Sequence, residues 1–131
     1  MEVELRLELL HNLDFTGNYT FTEVDEKFAL RIPKHKINAR LGLNIAKNTF
    51  TSLSYQFNGD RTDSFYNNDT FQNEQVVLGS FGVLDYYISH QVNDHLKIFA
   101  GMNNLTNEKY EEIYRFNTRG RNARFGLAIN F

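Results

Sequence analysis

The stretch Asn122-Ala-Arg-Phe-Gly-Leu-Ala-Ile-Asn-Phe131 alternates between two kinds of side chain. One parity is apolar and consists of Ala123, Phe125, Leu127, Ile129 and Phe131. The other parity is small or polar and consists of Asn122, Arg124, Gly126, Ala128 and Asn130. Because successive side chains of a strand point to opposite faces, the pattern predicts a strand with one apolar face and one polar face.

The same period of two recurs along the chain. It is clearest between residues 37 and 45, where Ile37, Leu41 and Ile45 share a parity opposite Asn38 and Arg40. A helix would scatter these residues around its circumference, so the period favours strands throughout. The predicted strands are 3–9, 13–22, 37–45, 51–58, 76–91, 96–103 and 122–131.

The predicted connections alternate in length. Short turns follow the first, third and fifth strands, whereas long polar connections at 23–36, 59–74 and 104–120 follow the second, fourth and sixth. Outer-membrane barrels have short turns on the periplasmic side and long loops outside, and a soluble meander has no reason to sort its loops this way. Several strands also reach the roughly 9–11 residues that a tilted membrane-crossing strand needs.

The composition agrees with an all-β chain and excludes several classes of protein. Aromatic residues make up 15% of the chain, which suits strands. The absence of cysteine excludes a disulfide scaffold and a thiolate metal site. The formal net charge of −2 gives no sign of a nucleic-acid partner. No apolar run approaches the length of a transmembrane helix, but alternating strands would not produce one.

Charged residues on the polar parity distinguish a membrane barrel from a dry sandwich. Glu4, Arg6, Arg40, Asp85 and Arg124 all lie opposite the apolar parity. Such charges are costly in a dry core but cheap in an aqueous lumen, while the apolar face turns toward lipid. The sequence therefore predicts an antiparallel up-and-down transmembrane β-barrel segment.

The predicted count of about seven strands bears on completeness. Bacterial single-chain barrels have an even number of strands, and an open sheet would leave unpaired edges in hydrocarbon. We therefore expect the carboxyl-terminal portion of a larger barrel. Two alternatives remain: an additional strand between 25 and 32 would permit a small self-contained barrel of eight strands, and a soluble sandwich or lipocalin-like binding protein would also alternate.

The end of the chain resembles the carboxyl terminus of TonB-dependent outer-membrane receptors. The family pattern has an Asn-Leu, a Lys-Tyr or Asp-Tyr, a Tyr-rich loop, a Gly-Arg and a final strand that ends on an aromatic residue. The chain matches it, in order, at Asn104-Leu105, Lys109-Tyr110, Tyr114, Gly120-Arg121 and Phe131. Within the family it is most similar to the vitamin B12 (cobalamin) transporters, with Phe116 in place of the second Tyr of their Tyr-x-Tyr-x-Thr-x-Gly-Arg spacing. The run Arg31-Ile-Pro-Lys-His-Lys36 is also typical of these receptors.

The resemblance implies a function and a location. It implies a barrel of roughly 22 strands with a plug, energised through TonB, that imports a large scarce ligand such as cobalamin or an iron-siderophore across the outer membrane of a Gram-negative bacterium. We recognise no plug domain, TonB box or signal peptide within these residues. The expected partners are outer-membrane lipid, the remaining strands and plug, the TonB complex, and the barrel-assembly machinery, which would read the terminal Phe131.

Five aromatic or basic residues of the long connections are candidates for contact with a large ligand. These residues are Tyr66, Tyr110, Tyr114, Arg115 and Phe116. Packing within the loops is the competing interpretation for most of them.

No pattern in the chain predicts catalysis or a cofactor. The chain has neither a Gly-rich phosphate loop nor a nucleophile elbow, so we expect no enzyme. His90 and His95 flank one short turn near Asp94, and a metal site there would need all three residues. Histidines exposed to water at the rim are the commoner arrangement, so no metal is predicted.

Overall fold

The computed structural model describes residues 1–25 and 29–131, and these residues form β-strands joined by turns and loops. The strands are β1 Glu2–Leu10, β2 Leu13–Phe21, β3 His35–Ala46, β4 Thr49–Asn58, β5 Arg61–Asn67, β6 Gln72–Leu78, β7 Phe81–Gln91, β8 Leu96–Asn103, β9 Glu111–Ile113, β10 Phe116–Asn117 and β11 Asn122–Ile129. Among the described residues, no helix is long and apolar enough to cross a membrane.

Seven of the strands form one antiparallel sheet in the order β1-β2-β3-β4-β7-β8-β11. The order follows the chain, so the predicted up-and-down topology and the predicted seven strands are confirmed. The remaining strands form two hairpins, β5–β6 and β9–β10. No pairing within the described residues joins β1 to β11, so the main sheet is open at both edges.

The register keeps the two kinds of side chain on separate faces of the sheet. One cross-strand row is apolar in every strand and contains Leu7, Phe15, Leu41, Leu53, Tyr86, Met102 and Ala123. The adjacent row on the opposite face contains Arg6, Thr16, Arg40, Ser54 and Asp85. A slip of one residue would exchange the faces of a strand, so this register reflects the alternation read from the sequence.

The apolar face has no protein cover in the described chain. Leu5 is 48% exposed, Leu127 is 67% exposed and Phe125 is 89% exposed. Buried apolar side chains are limited, in the described ranges, to Leu78 and Phe81. An apolar surface that extends over a whole sheet marks contact with a partner or a membrane.

The connections alternate as predicted. Short turns lie at 11–12, 47–48 and 92–95, whereas the connections at 22–34, 59–80 and 104–121 are long. Because consecutive strands are antiparallel, all three long connections leave the sheet at the same end of its strands. We call this end of the sheet the outer edge, as distinct from the two lateral edges formed by β1 and β11.

Three details of the prediction were wrong. The strand expected at 76–91 is interrupted at Gly79 and Ser80, so that 76–78 belongs to β6 and the sheet strand begins at Phe81. The loop expected at 59–74 contains β5 and the start of β6, and the loop expected at 104–120 contains β9 and β10. These hairpins project beyond the sheet, so neither of their faces has to be uniformly apolar and the period of two is weak.

The ends of the predicted pattern also differ from the structure. The closing strand ends at Ile129, and Phe131 lies beyond it as a fully exposed residue. In the range 25–32, Leu30 forms an isolated parallel bridge with Thr62 of β5 and joins no strand of the main sheet. Residues 26–28 lie outside the described residues, and the described part of this range supplies no eighth strand.

Candidate functional site

A buried carboxylate joins the three long connections at the outer edge. The side chain of Asp63, in β5, is 1% exposed. Its Oδ1 accepts hydrogen bonds from Nε of Arg31 at 2.7 Å and from the Ser64 amide at 2.8 Å. Its Oδ2 accepts the amide N–H of Tyr114 at 2.8 Å. Asp63 therefore links the 22–34 connection, the β5–β6 hairpin and the β9–β10 hairpin.

The backbone around Arg31 reinforces this link. Arg31 has φ of 61°, in the left-handed region that few residues other than glycine adopt. Its amide donates to the carbonyl of Thr62 at 2.7 Å, beside the bridge between Leu30 and Thr62. The guanidinium is about half exposed, so the ion pair with Asp63 has one buried partner and one partner in contact with water.

A second charged residue of β5 is buried two positions earlier. The guanidinium of Arg61 donates to the carbonyls of Gly79 and Glu111 and lies 5.0 Å from the ring centroid of Phe81. The ring of Phe81 stacks on Tyr110 with centroids 3.9 Å apart. Charge-assisted hydrogen bonds and a cation–π contact thus replace the apolar core that a larger domain would place here.

Two aromatic rings and one cation meet at the tip of the β9–β10 hairpin. The rings of Phe65 and Tyr114 lie 4.6 Å apart, and the guanidinium of Arg115 lies 5.3 Å and 5.1 Å from them. Arg115 has φ of 67°, and its amide donates to Oε2 of Glu111 at 3.0 Å. Arg115 is exposed, so its guanidinium can meet a ligand while its other face covers the rings.

The structure brings together some of the predicted ligand-binding residues. Tyr114 and Arg115 form one cluster, whereas Tyr110 is half-buried against Phe81 and its carbonyl accepts the Thr118 hydroxyl at 2.7 Å. Tyr66 in β5 and Phe116 in β10 are 55% and 69% exposed. The packing interpretation therefore describes Tyr110 best, and the Tyr114–Arg115 pair remains the candidate for ligand contact.

Sequence reasoning missed Asp63 and Arg61. Both lie in the stretch 59–74, where the Asp, Asn and Thr content predicts a polar loop and assigns no side chain to a face. The available signal was weak: Arg61, Asp63 and Phe65 alternate with Thr62 and Ser64. Their burial depends on partners in distant connections and has no local signature.

The histidines at the short turn do not form a metal centre. Nδ1 of His90 lies 2.9 Å from the hydroxyl of Thr49, and Nδ1 of His95 lies 3.1 Å from the carbonyl of Asn130. Across residues 1–25 and 29–131, no group of three or more His, Cys, Asp or Glu side chains is arranged to hold a metal ion.

The Asp63 carboxyl gives the outer edge a predictable response to acid. Burial works to raise the pKa of Asp63, but the Tyr114 amide, Arg31 and the Ser64 amide outweigh burial and lower it below the usual value. A lowered folded-state pKa means that the stabilisation is complete above the unfolded carboxyl pKa of about 3.9 and is lost as pH falls through the folded value. We therefore expect the Tyr114 amide to keep its hydrogen-exchange protection down to about pH 4 and to lose it below.

This experiment has an internal control. Exchange rates are normalised to the intrinsic rate at each pH, and amides within β7 and β8 report on the sheet. In Asp63→Ala, which has no side-chain oxygen to accept the hydrogen bond, the Tyr114 amide should be weakly protected at every pH. Unchanged protection of Tyr114 in that variant would contradict the assignment of Asp63 as its acceptor.

The fold and its outer edge together define a class of protein. An up-and-down antiparallel sheet with an uncovered apolar face, a polar face and all its long connections at one edge is the wall of a transmembrane β-barrel. The sequence profile described as "TonB dependent receptor-like, beta-barrel" matches residues 1–105. The chain belongs to this family of TonB-dependent receptors.

Solved structures have the same fold. The chain is similar to FpvAI in its complex with pyocin S2 (TM-score 0.83, 18% identity, 99% of this chain and 18% of that chain). It is similar to the outer-membrane ferripyoverdine receptor of Pseudomonas aeruginosa bound to ferripyoverdine (TM-score 0.77, 17% identity, 99% and 19%). It is also similar to the ferric enterobactin receptor of Pseudomonas aeruginosa (TM-score 0.79, 16% identity, 99% and 22%). The chain spans about a fifth of the length of these structures.

Proposed function

We propose that the chain forms the carboxyl-terminal portion of the barrel of an outer-membrane receptor that imports a large, scarce ligand with energy supplied through TonB. The family membership supports the receptor and its dependence on TonB. The uncovered apolar face supports an outer-membrane location in a Gram-negative bacterium, where lipid would cover it. Assembly would use the exposed terminal Phe131, and the unpaired edges β1 and β11 would join the remaining strands around a plug.

We infer that the ligand is an iron-siderophore complex rather than cobalamin. The observation that carries this choice is the charge at the outer edge. A cavity of about 320 Å³ lies there, with Arg31, Lys36, Arg61 and Glu112 among its lining residues. With Asp63 included as the partner of Arg31, three cations stand against two carboxylates, and this positive excess favours a ligand with negative charge, such as a ferric catecholate complex, over a neutral corrinoid.

The Tyr114–Arg115 pair supports the same choice. A cation held over aromatic rings offers both a charge and a flat surface, and ligand sites commonly combine apolar walls with a few placed polar groups. Cobalamin is the alternative ligand, because the carboxyl-terminal spacing resembles the cobalamin group. The competing probes in the binding experiment decide between the two.

Binding by the purified receptor tests this proposal. Ferric enterobactin, ferripyoverdine and cyanocobalamin are titrated separately, and the affinity is measured by calorimetry. We expect a ferric complex to bind and Arg115→Ala to weaken that binding about tenfold, which corresponds to the roughly 1.4 kcal/mol of a well-placed cation. Lys47→Ala removes an exposed cation from the turn at the opposite edge and should leave the affinity unchanged.

Two results would contradict the proposal. Binding of cyanocobalamin with no binding of a ferric complex would reverse the choice of ligand. Uptake of the bound ligand by cells that continues at full rate without TonB would contradict the energy source.

A further inference from the structure

The outer edge is held together by a polar core. Asp63 is the largest fully buried side chain of the described residues, and Arg61 is 6% exposed. The two lie on the same face of β5, two positions apart. Apolar burial makes a small contribution here, because Phe81 and Leu78 are the only apolar side chains buried in the described part of the chain. Directional charged hydrogen bonds therefore determine how the connections are placed.

The β9–β10 hairpin is anchored at both ends of β9. Arg61 binds the carbonyl of Glu111, where β9 begins, and Asp63 binds the amide of Tyr114, directly after β9 ends. The hairpin itself consists of β9 Glu111–Ile113 and β10 Phe116–Asn117, with a register shift within its short ladder. A two-stranded hairpin of this size is not stable alone in water, so its orientation depends on these anchors.

The anchor at Tyr114 is adjacent to the candidate ligand contact. The ring of Tyr114 lies under the guanidinium of Arg115, and the amide N–H of Tyr114 donates a hydrogen bond to Asp63. The same carboxylate binds Arg31, which reaches it from a separate connection. A movement of either connection would therefore be transmitted to the pair through one side chain.

We propose that Asp63 is a positioning residue, which locks the 22–34 connection and the β9–β10 hairpin onto the β5–β6 hairpin and so fixes the Tyr114–Arg115 pair for ligand. The role in binding rests on the proposed function above. The locking of the three connections into one unit does not, so the two parts are tested by separate measurements.

The first measurement is a distance between the two hairpins. Spin labels are attached to the two cysteines of an Asn73→Cys, Asn117→Cys variant. Asn73 lies in β6 and Asn117 in β10, and both positions are exposed. These 131 residues contain no native cysteine, so the two introduced cysteines are the only labelling sites within them, and any cysteine elsewhere in the receptor is replaced by serine first. In the membrane-embedded receptor, pulsed electron paramagnetic resonance should give one narrow distribution of the distance between the two labels. Asp63→Asn should broaden this distribution.

Control variants separate locking from a general loss of charge. Asp69→Asn removes an exposed carboxylate from the turn of the same hairpin and should keep the narrow distribution. Arg31→Gln should broaden the distribution between labels in the 22–34 connection and β6, because it removes the other side of the ion pair. A narrow distribution in Asp63→Asn would overturn the proposal.

The second measurement is a double-mutant cycle on the affinity for ferric enterobactin. Asp63→Asn alone should weaken binding about tenfold. In the Arg115→Ala background the same substitution should have almost no further effect, because Asp63 acts through the pair that has already been disrupted. Additive losses would assign Asp63 only a general structural role and would overturn the positioning of ligand.

The two measurements fail in different ways. If neither ferric enterobactin nor ferripyoverdine binds while Asp63→Asn broadens the label distance, the locking stands and the ligand proposed above is wrong. If ferric enterobactin binds and the label distance does not change, the ligand stands and Asp63 is not the lock.

Discussion

Leu53→Arg is expected to destabilise the barrel by about 2–4 kcal/mol. Leu53 lies near the middle of β4, on the apolar face, between Leu41 of β3 and Tyr86 of β7. Because the apolar face is proposed to contact lipid, an arginine at this depth would have neither water nor a counter-ion around it. The free-energy cost of such an arginine is greatest near the bilayer midplane. The free energy of unfolding is measured by denaturant titration of the receptor in lipid vesicles. Leu41→Arg, in the same cross-strand row, should behave alike.

Ser54→Arg is the matched control for this prediction. Ser54 follows Leu53 in the same strand but lies on the polar face, between Arg40 and Asp85. A new arginine there would have one neighbour of each sign and access to lumen water, so its cost should be small. Equal losses for the two variants would show that the apolar face does not contact lipid.

Asn104→Ala is expected to destabilise the outer edge by about 2–4 kcal/mol. Asn104 is 3% exposed and has φ of 53°. Its side chain donates to the carbonyl of Glu108 at 2.9 Å and accepts the amide of Glu108 at 2.8 Å. Alanine would lose both hydrogen bonds, leave buried groups without partners and strain a left-handed backbone.

Asn104→Gly separates these contributions. Glycine loses the same two hydrogen bonds but adopts positive φ without strain, so it should cost about 1 kcal/mol less than alanine. The amide of residue 104 also donates to Oδ1 of Asp85 at 2.8 Å, a contact that both variants keep. Thermal unfolding of the receptor in detergent ranks the variants, and an alanine variant as stable as the glycine variant would show that the backbone conformation carries no cost.

Asn104 also shows what a sequence resemblance contains. The Asn104-Leu105 pair is part of the family resemblance, yet its physical role cannot be seen in the sequence. The structure shows a clamp on Glu108, an amide bound to Asp85, and the Leu105 amide bound to the carbonyl of Leu84 at 2.7 Å. The pair therefore fixes the start of a long connection to β7, the strand that neighbours β8 in the sheet.

The strands and faces of the main sheet were predictable because they are local. A period of two assigns each side chain to a face whatever strand it pairs with, so Leu41 and Arg40 could be placed on opposite faces from the sequence alone. Connection lengths followed from the same pattern. The break at Gly79 and Ser80 was missed because apolar residues continue on both sides of it.

The sequence by itself determined a two-faced antiparallel sheet with long connections at one edge, because alternation and loop length are properties of neighbouring residues. Only the tertiary structure decided which polar residues of those connections are buried. Asp63 meets partners 32 and 51 positions away, at Arg31 and Tyr114. No local pattern encodes such a contact, because its energy depends on three segments that arrive at one carboxylate from separate connections.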